Sequence, residues 1–266
     1  MTPSSNSTFS PSSQTFSPTD VVAAHASVQE RLAFIRKTYA LFFVATLASF
    51  AAGAVMLIGF EPLGIPAGGF VWFLRHPLIA IVIYFVGVFA VQGLQRVPVV
   101  NLLALLGYAA FTGAYFSLVA LASYFVTGGE LVTREGQLVL TGGSWSLAGQ
   151  AFGLTLAAFG GLSMYAFVTR KDFSHWGAAL TILLFVAIGV ALIAFFMGGF
   201  SNPGIELGFC SVIVLLMSAF VLYDTSRIIR SHPVDRPVSA ALSLFLDFAL
   251  LFVYILRILT ILQGRR

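Results

Sequence analysis

Charge is what this chain has least of. Its 266 residues include only 14 Lys+Arg and 10 Asp+Glu, or 9% charged, where a soluble domain carries about 25%. So few charges cannot cover a chain that is 59% hydrophobic with a water-facing surface, so a soluble fold is excluded and lipid must be the main solvent. Basic residues form no dense run along any stretch, which removes nucleic acid as a partner. There is one cysteine, Cys210, so an internal disulfide and a cysteine-based zinc site are both excluded. The histidines His25, His76, His175 and His232 fall at span ends or in loops without metal-ligand spacing, and His232, beside Asp235 and Arg236, is simplest as a solvated loop residue. Mean hydropathy is +0.97, and phenylalanine alone fills 27 positions.

The first twenty residues have a composition of their own. Fourteen are Ser, Thr or Pro and none is Lys or Arg, so 1–20 is expected to be a disordered tail. It has neither the basic start nor the apolar core of a secretory signal. A short amphipathic segment over 21–37 follows, with Asp20 as its expected cap and Val21, Val28, Leu32 and Ile35 leading to Arg36 and Lys37.

From 38 to 262 the chain is expected to be an all-α polytopic membrane helix bundle. A hydrocarbon core about 30 Å thick needs roughly 20 apolar residues of helix. Seven stretches qualify, at 38–60, 77–95, 98–126, 146–169, 174–198, 206–229 and 239–261. Runs such as Leu41 to Gly53 do not alternate apolar with polar residues, which argues against a membrane β-barrel. With the N-terminus inside, the inner segments collect nine Lys or Arg and the outer ones five. That bias predicts a cytoplasmic N-terminus, although the terminal pair Arg265 and Arg266 opposes it; a bacterial-type inner membrane is the expected location. In the fourth span Gly149, Gly153, Ala157 and Gly161 form a ridge of small residues, read as a packing face inside the bundle of a monomer. Tyr108, Tyr115, Gln150 and Thr155 are the other polar residues placed to line a path.

Eight of the ten acidic residues lie in the tail, in loops or at span ends; Asp224 and Asp247 do not. A carboxylate at membrane depth costs at least ~2.5–3.5 kcal/mol, so each is a functional candidate. The sixth and seventh spans form an antiparallel hairpin about the loop Ser231 to Val238. At 1.5 Å per residue, Asp224 sits about 9 Å inward of Arg230 and Asp247 about 13 Å inward of Val238. The two acids therefore share a depth on neighbouring helices. Asp224 has Arg227 one turn on as a local partner, whereas Asp247 must find one on another helix. Two carboxylates close together in a low dielectric share one proton and act as a proton sensor. Deprotonated, they offer calcium at most four of the 6–8 oxygens it takes.

Three ordered segments carry a family likeness: Phe167-Val168-Thr169-Arg170-Lys171-Asp172-Phe173-Ser174, Leu222-Tyr223-Asp224-Thr225 and Ala241-Leu242-Ser243-Leu244-Phe245-Leu246-Asp247-Phe248. With Phe34-Ile35-Arg36-Lys37-Thr38-Tyr39 they resemble the Bax inhibitor-1 (transmembrane Bax inhibitor motif) family over about residues 30 to 262. The resemblance implies seven transmembrane helices with the seventh central. It also implies a pH-sensitive calcium leak channel, not an enzyme, whose di-aspartyl pair is Asp224 and Asp247; calcium is the transported ion and no cofactor is implied. An arginine at the cytoplasmic end of span two latches the pair in that family. Arg96 is the nearest match here; alignment on Gly113 without a gap places Gln95 there, and Arg227 is the other candidate latch. A proline soon after Gly113 is missing from this chain.

Two other readings compete. Some bacterial members of the family are described as modulators of a membrane-bound ATP-dependent protease, so the chain could act as an interaction partner without transport, its Ser/Thr-rich tail serving as a handle. Tyr223-Asp224 also resembles the first motif of presenilin-like intramembrane aspartyl proteases. Leu244-Phe245-Leu246-Asp247 replaces their Gly-x-Gly-Asp, and their Pro-Ala-Leu motif is absent.

Overall fold

Ser27 and Glu30 start the first helix with a reciprocal cap. The Ser27 amide donates to Glu30 Oε2 at 3.0 Å, and the Glu30 amide donates to Ser27 Oγ at 3.3 Å, closing two groups that the first turn leaves open. The cap expected at Asp20 lies outside the residues that the computed structural model describes, which are 23, 26–58, 68–94, 97–134, 137–169 and 171–265; the tail 1–20 lies outside them too. Helix α1 (Val28–Ile58) runs without a break through the amphipathic stretch into the first span.

The remaining helices are α2 (Gly68–Arg75), α3 (Pro77–Gly93), α4 (Pro98–Val126), α5 (Ser146–Thr169), α6 (Gly177–Phe196), α7 (Pro203–Arg230) and α8 (Pro237–Gln263). Prolines open α3, α4, α7 and α8, where the missing N–H costs nothing and the fixed φ suits a helix. Among the described residues six helices, α1, α4, α5, α6, α7 and α8, are long and apolar enough to cross a membrane. The expected second span is α3, apolar but only 17 residues long, about 26 Å at 1.5 Å per residue.

Helix α8 packs against α1, α3, α4, α5 and α7, so the central position expected of the last span is where this helix lies. Its buried residues run round most of its circumference, as a helix enclosed by others requires. One apolar cluster gathers Phe34, Phe159, Met217, Leu244 and Phe248; another gathers Ala45, Leu105, Tyr108, Leu242 and Phe245, and α8 contributes to both. Helix α6 lies against α7 and the 3-10 turn Ser174–Trp176. It leaves large side chains such as Phe185 and Phe196 about 70% exposed (69% and 71%), a surface suited to lipid.

One element departs from an all-helical reading. Strands β1 (Glu130–Arg134) and β2 (Gln137–Thr141) form an antiparallel hairpin between α4 and α5, pairing Glu130 with Thr141 and Arg134 with Gln137. The Tyr124 ring packs where Cβ atoms on Gly129 and Gly143 would stand, and Gly128 and Gly142 adopt φ of 92° and 80°, which favours glycine. The bundle thus has a hairpin side and, opposite, the side of the α7–α8 loop.

The glycine ridge of α5 does not pack as expected. A Cβ on Gly149, Gly153 or Gly161 would meet nothing within 4 Å, and Ala157 is exposed. The buried face of α5 is Leu147, Ala151, Thr155, Phe159, Ser163 and Ala166. Close backbone approach occurs instead where α1 crosses α4: a Cβ on Gly113 would stand 1.8 Å from the Ser49 carbonyl oxygen, and one on Gly53 would stand 3.1 Å from the Gly113 carbonyl oxygen. Gly113→Ala should therefore lower thermal stability in detergent by about 1–3 kcal/mol through overpacking. Gly160→Ala, with nothing within 4 Å, should leave it unchanged or raise it by up to about 1 kcal/mol through helix propensity.

Candidate functional site

Three consecutive residues of α7 serve three neighbours, because helical side chains turn through about 100° per residue. Asp224 faces α8, Thr225 faces α5 and α1, and Ser226 faces the segment after α5. The Ser226 Oγ accepts the Phe173 amide at 3.2 Å. The Thr225 hydroxyl stands 3.4 Å from the Ser163 hydroxyl, and the Tyr39 hydroxyl approaches both.

Asp224 and Asp247 are buried, at 8% and 5% exposure. Their carboxyl groups meet side chain to side chain, each within hydrogen-bonding reach of the other. Asp247 Oδ2 finds no hydrogen-bond partner among the described residues. The geometry fits the chain's own arithmetic: equal depth on two antiparallel helices leaves two acids opposite one another. The charge of Arg227 acts on Asp224, but no ion pair joins the two among the described residues. Arg96 and Gln95 lie outside the described residues.

Such a site can hold one proton between two carboxylates, or a passing cation that keeps much of its water. No group of three or more His, Cys, Asp and Glu side chains forms a metal cluster among the described residues. Tyr39, Ser163 and Thr225 complete the polar layer, and the sequence reading did not single them out as site residues. Tyr39 and Thr225 lie inside the quoted motifs, so only their types, common in any helix, kept them from notice.

Other polar candidates separate. Thr155 Oγ1 donates to the Ala151 carbonyl at 2.7 Å and Gln150 is exposed. Tyr108 and Tyr115 both stand near Tyr84, with ring centroids 5.7 and 6.5 Å from it. Arg257, counted among the outer basic residues, is paired: its Nε donates to Glu206 Oε1 at 2.6 Å, joining α7 and α8 at the end opposite the aspartates.

His232 is not solvated. It is 6% exposed and stacks on Phe34 with ring centroids 5.7 Å apart. Its Nδ1 lies 3.1 Å from the Pro233 carbonyl oxygen, and its own carbonyl accepts the Ala23 amide at 3.0 Å. Burial pushes its pKa below the usual value against the favourable Pro233 contact; Arg227 and Arg236 push it the same way, and Asp235 opposes them. The folded loop thus keeps the ring neutral after the unfolded chain has taken up a proton. Stability is full above about pH 6.5, falls as pH drops through that value and levels once the lowered folded pKa is passed. Wild type should therefore lose more melting temperature than His232→Phe between about pH 7.5 and about pH 5.5, read by thermal unfolding in detergent.

The comparisons with known proteins agree with this architecture. Residues 31–264 match the family model described as inhibitor of apoptosis-promoting Bax1. An uncharacterized protein of Campylobacter jejuni is 31% identical over 232 residues, covering 87% of this chain and 90% of its own. Bax inhibitor 1 of Schizosaccharomyces pombe is 27% identical over 234 residues, covering 88% and 78% respectively. The Golgi anti-apoptotic protein of vaccinia virus is 33% identical over 112 residues, or 42% of this chain and 46% of its own.

Proposed function

The chain belongs to the Bax inhibitor family of membrane proteins, and from that premise we propose that it is a pH-sensitive calcium leak channel gated by protonation of Asp224 and Asp247. The observation that supports this reading is the meeting of two buried carboxyls in an apolar bundle. With one shared proton the pair is a single negative charge closed by a hydrogen bond, which draws α7 and α8 together. Without it, two anions repel each other in a low dielectric and attract a divalent cation. The two protonation states favour two packings of α7 and α8 against their neighbours, and proton concentration shifts the population between them.

The roles follow from position. Asp224 and Asp247 carry the proton and meet the ion. Arg227, or Arg96, neutralises Asp224 in the closed state. Calcium needs more oxygens than the pair supplies, and retained water completes its shell. The protein works as a monomer in a bacterial inner membrane with its N-terminus and the α7–α8 loop in the cytoplasm, and it has no enzymatic role.

Calcium entry into liposomes containing the full chain, followed across a pH series, tests the proposal. Wild type should conduct with a marked dependence on pH, and Asp224→Asn combined with Asp247→Asn should flatten the profile. A flux and pH profile unchanged in that double variant would remove the mechanism.

A further inference from the structure

Three helices present the same succession of side chains along the bundle. Starting from the hairpin side, α1 offers Phe50, then Phe42, then Tyr39; α5 offers Phe152, then Phe159, then Ser163; α8 offers Phe252, then Phe248, then Asp247. The first member of each series lines a cavity of about 420 Å³ between α1, α4, α5 and α8. Its wall is mostly aromatic and aliphatic; of its three hydroxyl residues, Thr46, Ser49 and Ser117, Thr46 and Ser117 donate to the carbonyls of Phe42 and Ala114 at 2.9 and 2.6 Å. The last members belong to the polar layer around the aspartate pair.

Phe50 of the first tier meets Phe152 and Phe252, with ring centroids 4.8 and 5.4 Å apart, whereas the middle members close on one another in all three pairs. Ring centroids of Phe42 and Phe159 are 5.0 Å apart, those of Phe42 and Phe248 5.7 Å, and those of Phe159 and Phe248 5.6 Å. All three pairs are in contact, so the rings form a closed triangle one side chain thick. Phe248 and Phe159 are 2% and 6% exposed. Of the three rings Phe248 lines the cavity, and it is the residue next to Asp247.

We propose that Phe42, Phe159 and Phe248 form a hydrophobic gate that separates the cavity on the hairpin side from the Asp224–Asp247 layer. An apolar constriction holds back ions by excluding the water they travel in. The gate rests on the pathway reading of the aspartates and gives it a second element: the carboxyls sense the proton, and the rings set the barrier. A change in how α7 meets α8 reaches the triangle directly, because Phe248 follows Asp247 on the same turn.

The test uses the full chain with Cys210→Ser, so that Ser163→Cys carries the one thiol, beneath the triangle. A membrane-impermeant thiol reagent is applied to intact cells and, separately, to inside-out vesicles, so that either orientation is read. At neutral pH the thiol should stay unlabelled from the hairpin side. Adding Phe248→Ala or Phe42→Ala should raise labelling from that side on the order of tenfold, the factor given by removing about 1.4 kcal/mol of barrier. Phe248→Leu, which keeps most of the ring's volume, should label as slowly as the parent and guards against misfolding as the cause. Ready labelling with all three rings intact would overturn the gate, as would unchanged labelling in both alanine variants at parental melting temperature. Calcium flux in the same proteins separates the two readings: faster labelling without calcium flux in any variant supports the gate and counts against calcium as the ion.

Discussion

Two acids buried in an apolar bundle have to satisfy one another, and the arrangement of α7 and α8 follows from that constraint. Each carboxyl alone would carry a desolvation cost of several kcal/mol; face to face, one proton removes one charge and supplies a hydrogen bond to the other. The meeting of Asp224 and Asp247 fixes the register of the two helices at the loop side. The Arg257–Glu206 ion pair, at 2.6 Å, fixes it at the hairpin side. Between these two contacts no further ion pair joins the helices among the described residues, so the proton-dependent contact is the adjustable one.

Around that axis the bundle is layered. The hydroxyls of Tyr39, Ser163 and Thr225 stand at the level of the aspartates, a triangle of phenylalanines lies next, and an apolar cavity follows. Glycines set how closely the walls approach: Gly113 admits the Ser49 carbonyl into space that any Cβ would fill. On the loop side, His232 stacks on Phe34 and accepts the Ala23 amide, joining the start of α1 to the α7–α8 turn.

Legibility in the sequence followed energetic cost. Asp224 and Asp247 could be found because a charge in hydrocarbon is expensive and therefore rare. Tyr39, Ser163 and Thr225 could not, since hydroxyls are cheap in helices, where many bond their own backbone as Thr46 and Thr155 do. The α5 glycines looked like a packing ridge because spacing was the only information available, and spacing cannot tell which face a neighbour occupies. His232 looked solvated for the same reason, its burial coming from Phe34, nearly two hundred positions earlier in the chain. The hairpin at 130–141 leaves little trace in the sequence, because the apolar residues of Leu131 to Leu140 are few beside spans of twenty and more.

By itself the sequence determined the solvent, the helical class, the approximate spans and the depth of the two acids, because each depends on composition or on distance along a helix. The tertiary structure decided which side chains meet: that the carboxyls face each other, that Gly113 and not the α5 ridge receives a neighbouring backbone, and that Phe42, Phe159 and Phe248 close on one another. Those outcomes depend on the rotation of each helix about its axis. Rotation is set by the combined packing of all the helices, and no local stretch of sequence encodes it.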